Sequence, residues 1–325
     1  MATDDVLVLR RGTHGMPIDD YAEALRERLP SASIRIARTP EAERSMIESV
    51  SVVTGLQIDE PLLSAANELE LFACMYSGTG HLPFDRLEAA GVAVTNAAGV
   101  HGPNIAEHVI GAILHFVRRF DEGNRRQRRR EWRHYRAHEL EGSTVTVVGL
   151  GEIGRATLSR LEEFGVERIG VRYTPEKGGP ADTVVGFDES AFHDVLARTE
   201  YLVLACPLTD ETRGLIDRAA FETLPPDAVL VNVSRGPVVD TEALVAALRS
   251  NQMRGASLDV TDPEPLPEDH PLWTLSNVQL TPHNAGHTPA YYDRLADIVA
   301  ANVEELRDSG SAENLTNRVV PTDET

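Results

Sequence analysis

The chain has 325 residues, 42% of them hydrophobic, which is enough for two domains with a sizeable core and excludes a disordered or fibrous protein. Fifty-one acidic side chains face 31 basic ones, a formal net charge of −20 whose field repels nucleic acid and anionic membranes. The start, MATDDVLVLRRG, has no apolar run of signal-peptide length, and no stretch approaches the ~18 apolar residues of a membrane span, so a cytoplasmic location is expected.

Short β-rich runs alternate with amphipathic helical patterns, the sign of open parallel sheets. The first strand candidates are DVLVLR (5–10), ASIRIAR (32–38), SVVTG (51–55), LFACMYS (71–77) and VAVTN (92–96), with helical patterns at 18–29, 41–49 and 83–90 between them. That is a complete small doubly wound unit of about 100 residues. A long helical stretch, 103–138, is expected to carry the chain out of it. A second series follows: TVTVVGLG (144–151), ERIGVRY (167–173), EYLVLAC (200–206), AVLVNVS (228–234), GASLDV (255–260) and VQLTP (278–282). The final pattern, TPAYYDRLADIVAANVEELRDSG, reads as a long helix returning to the first unit. The expected fold is therefore α/β, two doubly wound domains: residues 101–286 inserted into a flavodoxin-like domain made of 1–100 and 287–325.

VVGLGEIG places Gly149, Gly151 and Gly154 in a G-x-G-x-x-G. The pattern alone is weak, but here it follows a β-branched strand and opens an amphipathic helix. Gly149 permits the tight turn, Gly151 lets the backbone approach a pyrophosphate, and Gly154 lets helix and strand pack closely. The helix N-terminus offers free N–H groups to the phosphates. Residues 101–286 thus read as a dinucleotide-binding domain, the remainder as the substrate domain. An NAD site carries an acid about 20 residues into the motif, on the ribose 2′-hydroxyl. Residues 168–175 contain none, and Arg172 lies 21 residues after Gly151. Arg172 is either a partner for a 2′-phosphate, with Tyr173 and Thr174 beside it, or a solvated strand-end residue. The missing acid points to NADP independently, with NAD as the alternative cofactor.

Three further residues sit where strands end, the side of an open α/β sheet that faces its ligand crevice. Arg235 lies in NVSRGPVVD, Glu264 in LDVTDPEPLP and His283 in TPHNAG. Hydride transfer to a 2-keto acid needs a fixed cation for the carboxylate, a proton donor for the developing alkoxide, and a carboxylate that orients the donor and favours its charged form. Arginine, histidine and glutamate suit those tasks.

Over nearly its full length the chain resembles the D-isomer-specific 2-hydroxyacid dehydrogenase family, in SGTGHLP (77–83), VVGLGEIG (147–154), CPLTDETRGLID (206–217), NVSRGPVVD (232–240), GASLDVTDPEPLP (255–267) and TPHNAG (281–286). The resemblance implies Arg235, Glu264 and His283 as a catalytic trio, in a cleft between the domains. It implies backbone N–H groups at Ser77 and Gly78 for the substrate carboxylate, and Asp259 on the nicotinamide carboxamide. It also implies Glu152, Ile153, Cys206, Pro207, Thr212, Val233, Ala285 and His283 around the cofactor. Gly80 stands where the family often has an acid, so no side-chain role is carried over there. Formate dehydrogenases have glutamine where this chain has Pro282, which argues against formate. No extension matches the regulatory domain of many phosphoglycerate dehydrogenases. The expected activity is transfer of a hydride between NADP(H) and a small 2-keto or D-2-hydroxy acid. The alternatives are a glyoxylate or hydroxypyruvate reductase, or a dinucleotide-sensing, co-repressor-like binding protein.

Cys74 and Cys206 stand far apart without CxxC spacing, so neither a disulfide framework nor a metal site is expected. Lys177 is the only lysine, the other 30 cations being arginine. This balance resembles salt-adapted, haloarchaeal-type members; a merely acidic, GC-rich proteome is the other explanation. Residues 118–136 hold nine arginines. They read either as a nucleic-acid patch or as a solvated helix whose cations meet acids of the same chain or a partner. The −20 charge favours the second reading. The segment lies where the family builds its dimerisation arm, so a homodimer through the cofactor domain is expected, with Trp132 anchoring packing.

Overall fold

The computed structural model describes residues 5–13 and 15–319. The chain divides into two compact units, one of residues up to Val100 together with those from His287 onward, the other His101–Gly286.

In the first unit the strands are β1 (Asp5–Val8), β2 (Ser33–Ile36), β3 (Val52–Gly55), β4 (Leu71–Cys74) and β5 (Ala93–Thr95). In the second they are β6 (Thr144–Val148), β7 (Glu167–Val171), β8 (Thr183–Val185), β9 (Tyr201–Leu204), β10 (Val229–Asn232), β11 (Gly255–Leu258) and β12 (Val278–Leu280). A last strand, β13 (Arg318–Val319), joins the first sheet antiparallel to β5. The sheet orders are β13-β5-β4-β3-β1-β2 and β12-β11-β10-β9-β6-β7-β8. Apart from β13 all neighbours run parallel. The fold is α/β with two Rossmann-like parallel sheets, the first in the flavodoxin-like order.

Parallel sheets need both faces covered, and TVTVV of β6 is accordingly buried at every position. One face packs Val148, Leu202, Leu204, Leu230 and Leu258; the other packs Val145, Val147, Val203 and Val231 against Ile105, Val109 and Ile113. Helix starts are set by side-chain caps. Asp59, Asp188, Asp217 and Asp240 each accept the N–H three residues on, satisfying a donor the helix leaves unpaired. The returning helix Tyr291–Ser309 packs on the first unit's core. Tyr292 Oη accepts from Thr13 N and donates to Met16 O, while Tyr291 Oη donates to Met75 O.

The helical stretch expected over 103–138 is not continuous. A helix runs Gly102–Val117, Arg119 turns left-handed (φ 52°), and a second helix runs Phe120–Arg128. Residues 129–139 are in neither helix nor strand. The second helix has no buried residue, and its arginines crowd one another at helical spacing, so neither packing nor pairing carries it on. Trp132 does not anchor packing within the chain: it is fully exposed.

Candidate active site

Because the second sheet is parallel, its strands end along one edge, and the turns beyond them bring together residues distant in sequence. Gly149 follows β6 at the point where strand order reverses. Its φ of 96° and the approach of Ala205 O and Cys206, 2.6 Å from where a Cβ would stand, admit only glycine. A Cβ on Gly154 would lie 1.9 Å from Gly149 O, so the helix Glu152–Leu161 sits directly against the turn. Gly151 caps that helix without a side-chain bond, and a Cβ there would meet nothing within 4 Å. Open backbone at a helix N-terminus fits a pyrophosphate. Glu152 and Ile153 form the first turn.

Beyond β7, Arg172 is half-buried and donates from Nη1 to Gly178 O at 2.7 Å, which ties down the loop after Thr174. Tyr173 is exposed. Beyond β9, Cys206 is buried, and burial pushes its thiol up to about 11, so it is a neutral wall rather than a nucleophile. The Thr212 hydroxyl donates to Pro207 O (2.7 Å) and accepts from Thr209 N (2.8 Å), folding the loop 207–212 back on itself. Val233 and Ala285 are buried at the ends of β10 and β12.

Glu264 and His283 meet directly, Glu264 Oε1 lying 2.6 Å from His283 Nδ1. With the carboxylate on Nδ1, the far ring nitrogen Nε2 is the one left to serve a substrate oxygen. His283 has φ 52°, a left-handed conformation that costs a non-glycine residue about 1–2 kcal/mol. Asp259 offsets it. Its carbonyl accepts His283 N (2.8 Å), its Oδ1 accepts Thr281 Oγ1 (2.5 Å) and Asn284 N (2.8 Å), and its Oδ2 accepts Ala285 N (2.9 Å).

Arg235 is exposed, with Nη1 on Ser234 O (2.6 Å), and its carbonyl accepts from the buried Asn232 amide (3.1 Å). Its loop meets that of Glu264 through Gly236, where a Cβ would lie 2.0 Å from Thr261 O. A cavity of about 420 Å³ opens beside the His283–Glu264 pair, walled partly by Leu266, Trp273 and Leu280. A larger one, about 790 Å³, lies in the arginine-rich segment and is remote from these strand ends in sequence. Among the described residues no cluster of three His, Cys, Asp or Glu is arranged to hold a metal, and no helix is long and apolar enough to cross a membrane.

In the first unit, Ser77 and Gly78 lie exposed just past β4. Asn96 Nδ2 donates to Ser77 O at 2.7 Å, fixing the turn, and a Cβ on Gly78 would meet nothing within 4 Å.

Residues 110–285 match the family described as D-isomer specific 2-hydroxyacid dehydrogenase, NAD binding domain. The chain belongs to that family. A glyoxylate reductase of Thermofilum pendens is 35% identical over 254 residues, 76% of this chain and 74% of that protein. A D-3-phosphoglycerate dehydrogenase of Mycobacterium leprae is 34% identical over 276 residues, 84% of this chain; the match spans 51% of that longer protein. Among solved structures, a D-isomer specific 2-hydroxyacid dehydrogenase from Xanthobacter autotrophicus Py2, in complex with NADPH and MES, superposes with a TM-score of 0.76. It is 29% identical, with 97% of this chain and 98% of that chain covered. This dehydrogenase thus has relatives named for reduction of glyoxylate and for oxidation of phosphoglycerate.

The residues that sequence reasoning did not single out are those that shape the loops: Gly236, Thr281 and Asn284. For Gly236 a signal existed, since a glycine directly after a strand-end arginine marks a close backbone approach. Nothing in the sequence marks Thr281 or Asn284 as bonded to Asp259.

Proposed function

We propose that this dehydrogenase reduces a small 2-keto acid to the D-2-hydroxy acid, with a preference for NADP(H). The observation that carries the reading is the His283–Glu264 contact of 2.6 Å at the sheet edge that also bears the glycine turn. Arg235 takes the substrate carboxylate and polarises the keto oxygen, with the Ser77 and Gly78 N–H groups as further donors. A bound nicotinamide cofactor would supply the hydride that the keto carbon takes up. His283 delivers its proton from Nε2 to the oxygen, and Glu264 on Nδ1 orients the ring for that transfer. Gly149, Gly151 and Gly154, with the first turn Glu152–Ile153, would hold the pyrophosphate. Cys206, Pro207, Thr212, Val233 and Ala285 would frame the nicotinamide side, and Asp259 would take its carboxamide.

The NADP preference rests on residues 168–175 lacking an acid and on Arg172 standing beyond β7. The chain works in a salty cytoplasm, as its −20 charge suggests. It pairs with a second copy through the segment 118–136. There nine arginines outnumber Asp121, Glu122 and Glu131, and Trp132 and Phe120 are exposed. A locally basic arm on an acidic chain is complementary to another copy of itself. The test is a panel of 2-keto acids assayed with NADPH and NADH in molar salt. Reduction of glyoxylate, pyruvate or hydroxypyruvate, faster with NADPH, is expected; no turnover of any of them refutes the reading.

A further inference from the structure

We propose that the cavity beside His283 receives the side chain of the substrate, and that its lining selects 2-keto acids carrying a branched aliphatic or benzyl group, with Trp273 as the specificity-determining residue. The inference deepens the reading of this chain as a 2-keto acid reductase and rests on it.

The cavity holds about 420 Å³, and His283 and Glu264 are part of its lining. A substrate whose keto oxygen meets the His283 ring therefore stands at its edge. The polar groups around it are already engaged. Glu264 is on His283 Nδ1, the Thr281 hydroxyl is on Asp259 Oδ1, and the Thr261 hydroxyl donates to Pro263 O at 2.9 Å. Trp273 uses its one side-chain donor, Nε1, on Pro267 O at 2.8 Å. What is left to a ligand is apolar wall: Pro265, Leu266, Trp273, Leu280 and Pro282. Leu266 and Leu280 also pack against the buried core of this unit, which fixes that side of the wall. Trp273 is 53% exposed, a large aromatic face left uncovered beside the His283–Glu264 pair. Uncovered apolar surface in a cleft is what the apolar part of a ligand covers. Size and charge then decide which group. Glyoxylate has no carbon beyond its keto carbon and pyruvate has a single methyl, so either would leave most of the cavity to water. An apolar cavity of about 150 Å³ already accommodates benzene. The ionisable groups in the lining besides His283 are the carboxylates of Asp259 and Glu264, which repel a second carboxylate or a phosphate on the substrate.

The test is a series of acids assayed with NADPH in molar salt: glyoxylate, pyruvate, 4-methyl-2-oxopentanoate, phenylpyruvate, and 2-oxoglutarate as the anionic counterpart. Each methylene removed from water is equivalent to about fourfold. From pyruvate to 4-methyl-2-oxopentanoate or phenylpyruvate, kcat/KM should therefore rise roughly tenfold or more, and 2-oxoglutarate should be a poor substrate. Trp273→Ala should erase most of that advantage, chiefly by raising KM for the two longer acids. Trp273→Phe keeps an aromatic face without the N–H and should retain the preference. A second readout needs no turnover. The chain has two tryptophans, so Trp132→Phe leaves Trp273 as the sole indole. With oxidised NADP present, which permits no reduction, its fluorescence should change saturably with 4-methyl-2-oxopentanoate and not with 2-oxoglutarate. A preference for glyoxylate or pyruvate over both longer acids overturns the proposal. So does an equal loss for every acid in Trp273→Ala, loss of the preference in Trp273→Phe, or a fluorescence that does not respond. If the wild type reduces no 2-keto acid, the functional reading fails by itself, and the fluorescence titration decides whether the cavity takes an apolar acid.

Discussion

Replacing Arg172 isolates the one charge difference between the two nicotinamide cofactors, the 2′-phosphate. In the structure Arg172 uses one donor on Gly178 O at 2.7 Å, which leaves up to four of its five N–H groups for a ligand. A charge-assisted bond contributes about 1.5–3 kcal/mol, equivalent to roughly tenfold to a hundredfold in affinity. Arg172 is half-buried rather than enclosed, so solvent and salt screen part of that. The lower end, about tenfold, is the expected rise in KM for NADPH in Arg172→Ala, with KM for NADH almost unchanged. Arg172→Asp should go further and favour NADH, since an acid repels the phosphate and accepts from a ribose hydroxyl. Initial rates with both cofactors, at one fixed ionic strength, measure this. A wild type that prefers NADH, or an alanine variant that weakens both cofactors equally, refutes the assignment. The second outcome would mean that Arg172 serves only to tether the loop at Gly178.

His283→Ala should almost abolish 2-keto acid reduction while NADPH still binds by calorimetry; near wild-type kcat would contradict its role. Glu264→Gln removes the carboxylate that fixes His283 through Nδ1 and should lower kcat for 2-keto acid reduction roughly tenfold to a hundredfold while NADPH still binds; an unchanged kcat counts against it. The melting temperature should rise as salt goes from millimolar to molar, because screening relieves repulsion within a chain of net charge −20; a flat or falling curve opposes this. Gly236→Ala drives a Cβ to 2.0 Å from Thr261 O, so it should destabilise by about 1–3 kcal/mol and lower kcat by displacing the Arg235 loop; normal melting and normal kcat together would show that the contact gives way freely.

The parallel α/β fold was legible because buried parallel strands must be continuously apolar and their connections amphipathic. Apolar pattern extends past each strand it marks by a residue or more: DVLVLR reads as strand throughout, yet strand pairing stops at Val8 while Leu9 stays buried. Apolar character reports burial, and burial outlasts the hydrogen-bond ladder. Two strands escaped notice for the converse reason. Thr183–Val185 and Arg318–Val319 lie at sheet edges, are short and partly exposed, and so carry little apolar signal. The segment 118–136 failed differently. Arginine has good intrinsic helix propensity, but propensity sums do not include repulsion between neighbouring guanidinium groups or the lack of a face to bury.

At the site, the residues whose chemistry is unusual for their setting stood out: glycines after a strand, an arginine and a histidine at strand ends. The geometry that makes them a unit did not. Glu264 and His283 are 19 positions apart, and their 2.6 Å contact depends on where two separate turns are held. Gly236 holds the first by letting the β10 loop touch Thr261, and Asp259 holds the second through three donors on its carboxylate. Both act by shape and by backbone hydrogen bonds. A backbone donor is present at almost every position of any sequence, so Asn284 N and Ala285 N gain meaning only when an acceptor is brought to them. Such positioning is invisible in a list of side chains, though transfer of one proton between atoms about 3 Å apart depends on it.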